Sequence, residues 1–218
     1  MYLPERFAMT EPEQLHGVIR AHPFATLVSV DGGGLEADHL PLLLAPEAGD
    51  HGVLRGHIAR ANPLWHGGER AALAIFHGPQ AYITPSWYPA KREHGRVVPT
   101  WNYQVVHAHG QLRFIDDPAW LERIVAALTQ RFEHSRPQPW SLDDAPRDYI
   151  EAMCRAIIGV ELTVTALNGK RKASQHRPRA ERTGICTGLQ SDYAFDEKSA
   201  RCLCGIDEAS EPGIKPGQ

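Results

Sequence analysis

Over its first 115 residues the chain sets short apolar runs between turn residues, and beyond them the spacing of apolar positions becomes helical. Phe24-Ala25-Thr26-Leu27-Val28-Ser29-Val30 is mostly apolar and β-branched, which predicts a buried strand. Asp31-Gly32-Gly33-Gly34 turns the chain into a second strand from Leu35 to Ala45, with His39-Leu40-Pro41 as a bulge or edge, since proline cannot donate to a ladder. Pro46 to Gly52 is the next turn. Val53 to Arg60 is a third strand running into a short helical turn at Ala61-Asn62-Pro63-Leu64-Trp65. Ala71 to Phe76 and Gln80 to Trp87 read as a fourth and fifth strand separated by His77-Gly78-Pro79. Val98 to Ile115 supplies one long strand or two, with a bend at Gly110.

Three helices frame these strands. Thr10-Glu11-Pro12-Glu13 has the form of a capping box, with Leu15, Val18 and Ile19 on one face and an end near Ala21, before His22-Pro23. Asp117-Pro118 opens the clearest helix, its apolar stripe running through Trp120, Leu121, Ile124, Leu128 and Phe132. Asp144-Ala145-Pro146 opens another, from Tyr149 through Ile158, with Gly159 as its C-cap. Glu161 to Leu167 alternates as a final strand. Many short strands with few helices predict a mainly β fold, an antiparallel barrel with packed helices, and the absence of long βαβ units speaks against a doubly wound parallel sheet. The periodicity fades after Arg177. The predicted division is therefore a domain over residues 1–177 and a polar extension over 178–218, partly disordered, with Asp207 to Gln218 as a tail.

Composition narrows the class. A chain of 218 residues buries a substantial core. No run approaches the roughly 20 apolar residues of a membrane span, and Met1 to Phe7 lacks a basic segment followed by an apolar one, so a cytoplasmic location is expected. The net charge of −3 argues against a wholly basic nucleic-acid binder but leaves room for a local patch. The four cysteines, Cys154, Cys186, Cys202 and Cys204, fit no zinc or thioredoxin spacing and are expected as free thiols.

One stretch concentrates candidate chemistry: Tyr82-Ile83-Thr84-Pro85-Ser86-Trp87-Tyr88-Pro89-Ala90-Lys91, then Val98-Pro99-Thr100-Trp101-Asn102-Tyr103. Prolines stiffen a backbone that carries flat rings, hydroxyls, an amide and a lysine, which suits a pocket for a planar ligand. The same residues also suit a barrel rim whose Trp and Tyr close the core. In Gly56-His57-Ile58-Ala59-Arg60-Ala61-Asn62-Pro63, Arg60 and Asn62 suit a phosphate, and Asn62 equally suits a cap before Pro63. The basic run from Lys170 to Arg182 suits either a phosphate site or a solvated loop. His107 and His109 share a strand face without the further ligands a metal needs, and no nucleophile motif is present.

Seven motifs occur in order: Met1-Tyr2-x-Pro4, His22-Pro23-Phe24-Ala25-x-Leu27, His39-Leu40-Pro41, Gly56-His57-x-Ala59-Arg60-x-Asn62-Pro63, Tyr82-Ile83-Thr84-Pro85-Ser86-Trp87-Tyr88, Val98-Pro99-Thr100-Trp101-Asn102-Tyr103 and Gly169-Lys170-x-Lys172-x-Ser174-Gln175. Through them the chain resembles, over roughly residues 1–189, the PaiB-type family described as FMN-binding negative transcriptional regulators. The resemblance implies a six-stranded antiparallel Greek-key split barrel that binds FMN at a homodimer interface. It implies that the turn from His57 through Arg60 to Asn62 holds the FMN phosphate. Ser86, Trp87, Lys91, Thr100, Asn102 and Tyr103 would line the cleft, and Lys172, Gln175 and Arg177 would close it from the same or the partner subunit. His176 stands where the family carries Asn, and the segment after Leu189 is not the family's usual short C-terminus.

The leading expectation is an FMN-binding transcriptional regulator acting as a homodimer, with the Lys170–Arg182 run as its candidate DNA surface. The alternatives are a flavin-dependent oxidoreductase of the split-barrel type and a binding module whose flavin site is empty.

Overall fold

The computed structural model describes residues 1–206; the expected tail, Asp207 to Gln218, lies outside the described residues. Fourteen elements follow in order: β1 Ala8–Met9, α1 Pro12–Ala21, β2 Phe24–Asp31, β3 Gly34–Pro41, β4 Leu43–Ala45, β5 Val53–Ala59, β6 Arg70–Ile83, α2 Ala90–Glu93, β7 Thr100–Ile115, α3 Pro118–Glu133, α4 Arg147–Arg155, β8 Ile157–Lys172, α5 Arg179–Tyr193 and α6 Glu197–Cys204. The strands form one sheet in the order β3-β2-β6-β7-β8-β5-β4, with β1 paired to β8. The sheet has eight strands where six were expected, because β1 and β4 are additional short pieces of two and three residues. The chain divides into two compact units, one of Met1–Thr10, His77–Val105 and Gly169–Gln218, the other of Glu11–Phe76 and Val106–Asn168.

The second unit is organised by a corner. β2 and β3 pair from Phe24↔Pro41 to Asp31↔Gly34, and β4 pairs instead with β5. A single segment thus supplies both ends of the strand order, changing partner at Leu42, whose amide donates to the Pro23 carbonyl at 2.9 Å. Pro41 has no amide to offer at this bend. Gly56 on β5 lets the corner close, since a Cβ there would lie 2.6 Å from the Pro41 carbonyl oxygen. Two of the sequence motifs, His39-Leu40-Pro41 and Gly56-His57, are thus the two sides of one close backbone contact.

The amphipathic stripes are buried as their spacing predicts: Leu15, Val18 and Ile19 on α1, and Leu121, Ile124 and Leu128 on α3, with Phe132 left exposed. Asp117 caps α3, accepting from the Ala119 and Trp120 amides at 2.9 and 3.3 Å. Other boundaries differ from expectation. Thr10 does not cap α1: Glu11 takes that position without a side-chain bond, and Glu13 pairs with Arg20. β6 is one strand of 14 residues through Pro79, because β2 pairs only with Ala72–Phe76 and the missing proline amide leaves no β2 bond unmade. Ile157, Ile158 and Gly159 belong to β8, where Ala59↔Ile157 and His57↔Gly159 continue the ladder, and Gly159 lets the Trp120 ring pack against the strand.

One charge is buried in this unit. Glu161 on β8 is 4% exposed. It accepts from Arg55 Nε at 2.7 Å and from Arg113 Nε at 2.8 Å. Burial raises its pKa, and the two guanidinium groups more than offset this and hold it below the ordinary carboxylate value.

In the first unit, the stretch whose periodicity fades forms α5 and α6. Their caps carry the local signal: Asp196 accepts from the Ser199 amide at 2.9 Å, and Gly205 ends α6 in the left-handed region at φ 69°. Ile185, Leu189, Ala200, Leu203 and Cys204 from these helices share a core with Ala81, Ile83 and Tyr88. Trp87 packs on a glycine face of α5. A Cβ at Gly184 would lie 2.2 Å from the Trp87 carbonyl oxygen and one at Gly188 2.3 Å from its ring, and Trp87 Nε1 donates to Asp192 at 2.9 Å.

Two stability outcomes follow. Glu161→Gln should cost about 1–2 kcal/mol at pH 7, less than a fully buried pair because both arginines reach solvent. The native carboxyl's pKa is depressed, so its contribution is present above the unfolded value of about 4.3 and is lost as pH falls through the native value. Denaturant titrations of the two proteins should therefore draw together as pH falls from the unfolded value through the lower native one. Gly188→Ala should destabilise by about 1–3 kcal/mol despite the helix-propensity gain of about 1 kcal/mol, because the methyl group meets the Trp87 ring. Gly17→Ala on α1, where nothing lies within 4 Å, should stabilise instead.

Candidate functional site

The first unit gathers most of the residues expected at a ligand site. β7 begins at Thr100 and β8 ends at Lys172, and the Lys172 ammonium donates to the Trp101 carbonyl at 2.8 Å and to the Thr100 hydroxyl. Burial, and then the charge of Lys170, lowers the Lys172 pKa. No carboxylate pairs with Lys172 among the described residues, so its positive charge is not neutralised in the fold. Strand alternation leaves Tyr82 and Trp101 on the surface, edge to face at 6.4 Å, while their neighbours Ile83 and Asn102 are buried.

Behind this surface the turn at 173–177 is held by amides. Asn102 is fully buried, and its Nδ2 donates to Ser174 Oγ at 3.0 Å and to the Leu203 carbonyl at 2.8 Å. Ser174 sits at φ 57°, a left-handed conformation that costs about 1–2 kcal/mol outside glycine and that the surrounding bonds sustain. Gln175 Nε2 donates to the Arg6 and Arg171 carbonyls at 3.0 and 2.6 Å while its oxygen accepts from the Ala173 amide. Asn102 and Gln175 therefore position the turn.

The turn is electropositive. His176, edge-on to Phe7, has a lowered pKa, first from burial and then from Arg177, Arg6 and Lys172. Arg177 lies 4.2 Å from the centre of the Tyr88 ring and pairs with Glu181 at 2.7 Å. Tyr103 and Tyr2 each lie 5.5 Å from the buried Lys170 ammonium, which donates to the Tyr2 carbonyl. Ser86 accepts from Lys91 at 2.9 Å on the exposed loop. Trp87 faces α5, as described above.

The second unit carries His57, Arg60 and Asn62. Arg60 forms a two-pronged pair with Asp116, which lowers the carboxyl's pKa through that hydrogen bond, and it also donates to the Arg155 and Ile157 carbonyls. Asn62 caps its turn, accepting from the Leu64 amide at 2.8 Å, and donates to Asp38 at 2.6 Å. Both side chains have their hydrogen-bonding groups engaged within the unit. His57 differs: burial lowers its pKa, and its buried Nδ1 has no hydrogen-bonding partner among the described residues. His107 and His109 lie with ring centres 6.4 Å apart, and no group of three potential ligands is placed to hold a metal among the described residues.

Trp101, Tyr82 and Ser174 were not among the expected contact residues. Period-2 alternation about Ile83 and Asn102 is the signal that places the two rings outward; the left-handed Ser174 has no signal in sequence. The first unit offers a cation without a carboxylate partner among the described residues, which fits an anionic group, and two exposed rings, which fit a flat surface.

A family model described as "Putative FMN-binding domain" matches residues 1–166. The Protease synthase and sporulation protein PAI 2 of Bacillus subtilis is 32% identical over 194 residues, covering 88% of this chain and 90% of its own length. The uncharacterized protein AN0679 of Emericella nidulans is 31% identical, covering 94% and 96%. Among solved structures, the flavocytochrome Anf3 from Azotobacter vinelandii matches with a TM-score of 0.56 at 14% identity, over 78% of this chain and 72% of that one. The FAD and heme binding protein from Mycobacterium smegmatis matches at 0.55 and 17% identity, over 75% and 72%. At such identities these structures bear on the fold alone, and the fold is the split barrel. The match across three quarters of its length makes this chain a member of the FMN-binding domain family.

Proposed function

We propose that the chain binds FMN and acts as a flavin-responsive regulator in the form of a homodimer. The observation that carries the binding is Lys172: a half-buried ammonium fixed by the Thr100 hydroxyl and the Trp101 carbonyl, without a carboxylate partner among the described residues. A half-buried cation held without a counter-charge favours an anion more than it would in open solvent. FMN would supply a redox-active planar ring and a phosphate. In this reading the chain's own part is to receive the phosphate at Lys172, stack the ring against Trp101 and Tyr82, and keep the 173–177 turn in place through Asn102 and Gln175.

The regulator reading, and not an oxidoreductase reading, draws support from the Bacillus subtilis relative, whose name ties it to protease synthase and sporulation. DNA contact through the run from Lys170 to Arg182 rests in this reading on Arg179, exposed at the start of α5. Lys170 is buried, Arg177 is paired with Glu181, and Arg182 donates to the Gly205 carbonyl at 2.7 Å.

Titration of FMN by fluorescence quenching tests the binding. Lys172→Met should weaken the affinity by about 10- to 100-fold, the worth of one charge-assisted contact, while the melting temperature stays close to that of the parent. The proposal fails if the folded parent leaves FMN fluorescence unchanged, or if the variant binds as tightly as the parent.

A further inference from the structure

We propose that Cys186 and Cys204 form a dithiol site at which the α5–α6 hairpin is cross-linked by thiol–disulfide exchange with a small disulfide of the glutathione class. All four cysteines are free thiols. Cys186 lies on α5 and Cys204 at the end of α6, where the Cys204 thiol donates to the Arg201 carbonyl at 3.5 Å and Cys186 is close enough to shift its pKa. They share one apolar cluster, Cys204 fully buried within it and Cys186 half-buried against it. The other two are placed differently. Cys202 is directed to the Gln104 side-chain oxygen at 3.5 Å, and Cys154 is buried in the other unit.

The difference in exposure sets the order of events. Cys186, the accessible sulfur, attacks the incoming disulfide as thiolate, forming a mixed disulfide and releasing one small thiol. Cys204 then gives up its proton and attacks the Cys186 sulfur, forming the Cys186–Cys204 bond and releasing the second small thiol. Two protein thiols are oxidised and one small disulfide is reduced to two thiols. Burial, with Cys186 beside it, pushes the Cys204 thiol above its ordinary pKa, so that Cys204 does not make the first attack and reacts only with the adjacent mixed disulfide.

The cross-link has a place to act. The residue before Cys204 is Leu203, whose carbonyl takes the Asn102 amide, and the residue after it is Gly205, whose carbonyl takes Arg182. A Cβ at Gly205 would lie 2.9 Å from the Ala173 carbonyl oxygen. The end of α6 therefore abuts the turn that follows Lys172, and a bond from Cys204 to α5 would fasten that contact.

The full chain, incubated with oxidised glutathione, should lose two of its four thiols and 2 Da per molecule. A peptide map should join the peptides holding Cys186 and Cys204, and α6 amides should exchange with deuterium more slowly than in the reduced protein. Cys186→Ala and Cys204→Ala should each abolish the joined peptide, whereas Cys202→Ala should retain it. Because Cys204 is buried and its variant is liable to misfold, the map of the unsubstituted chain is decisive by itself. A joined peptide through Cys202, a stable glutathione adduct on Cys186 without ring closure, or four thiols surviving would each overturn the proposal.

Discussion

The first unit depends on one buried amide. Asn102 has no solvent contact, and its NH2 group links the start of β7 to Ser174 in the turn after β8 and to Leu203 at the end of α6. A buried amide left without partners costs about 1–3 kcal/mol, so the three segments stay together or the interior carries an unmade hydrogen bond. The turn it holds includes a serine in the left-handed region. In front of that turn stand Lys172 and Thr100, the residues whose geometry suggests a ligand. Asn102 looks like a binding residue in sequence because the site is built on it, although in the fold its own hydrogen bonds face inward.

Lys172 differs from the paired arginines of both units. In the second, Arg60 is matched by Asp116, and Arg55 and Arg113 converge on Glu161. In the first, Arg177 is matched by Glu181, whereas Lys172 has no carboxylate partner among the described residues, and burial and then the charge of Lys170 lower its pKa. Paired charges fix strands; unpaired charges that depress one another create a potential an anion can relieve. The reading proposed above therefore assigns the phosphate to Lys172, since Arg60 is already paired with Asp116.

Much of the barrel was legible from period and punctuation. The β2–β3 hairpin, the Leu121-Ile124-Leu128 stripe and the Asp117 cap follow from spacing alone. The misjudged boundaries share a cause: Gly159 and Pro79 are breakers in isolation, but ladder partners on β5 and the short reach of β2 override them. The α5–α6 hairpin was missed because glycines at 184 and 188 interrupt its apolar period. They are there to admit the Trp87 ring, a fact that becomes visible only when the ring is in place. At the candidate site, sequence identified Thr100, Asn102 and Lys172 as a group but not which of them faces outward, since facing is decided by strand register and by the Ser174 turn.

Comparing FMN with riboflavin by titration calorimetry on the same protein examines the anion recognition on which the functional reading rests. The two ligands share the ring and differ by the phosphate. Recognition through an unneutralised cation predicts that FMN binds about 100-fold more tightly and that the gap narrows as salt is raised. Equal affinity for the two, at any salt concentration, would contradict it.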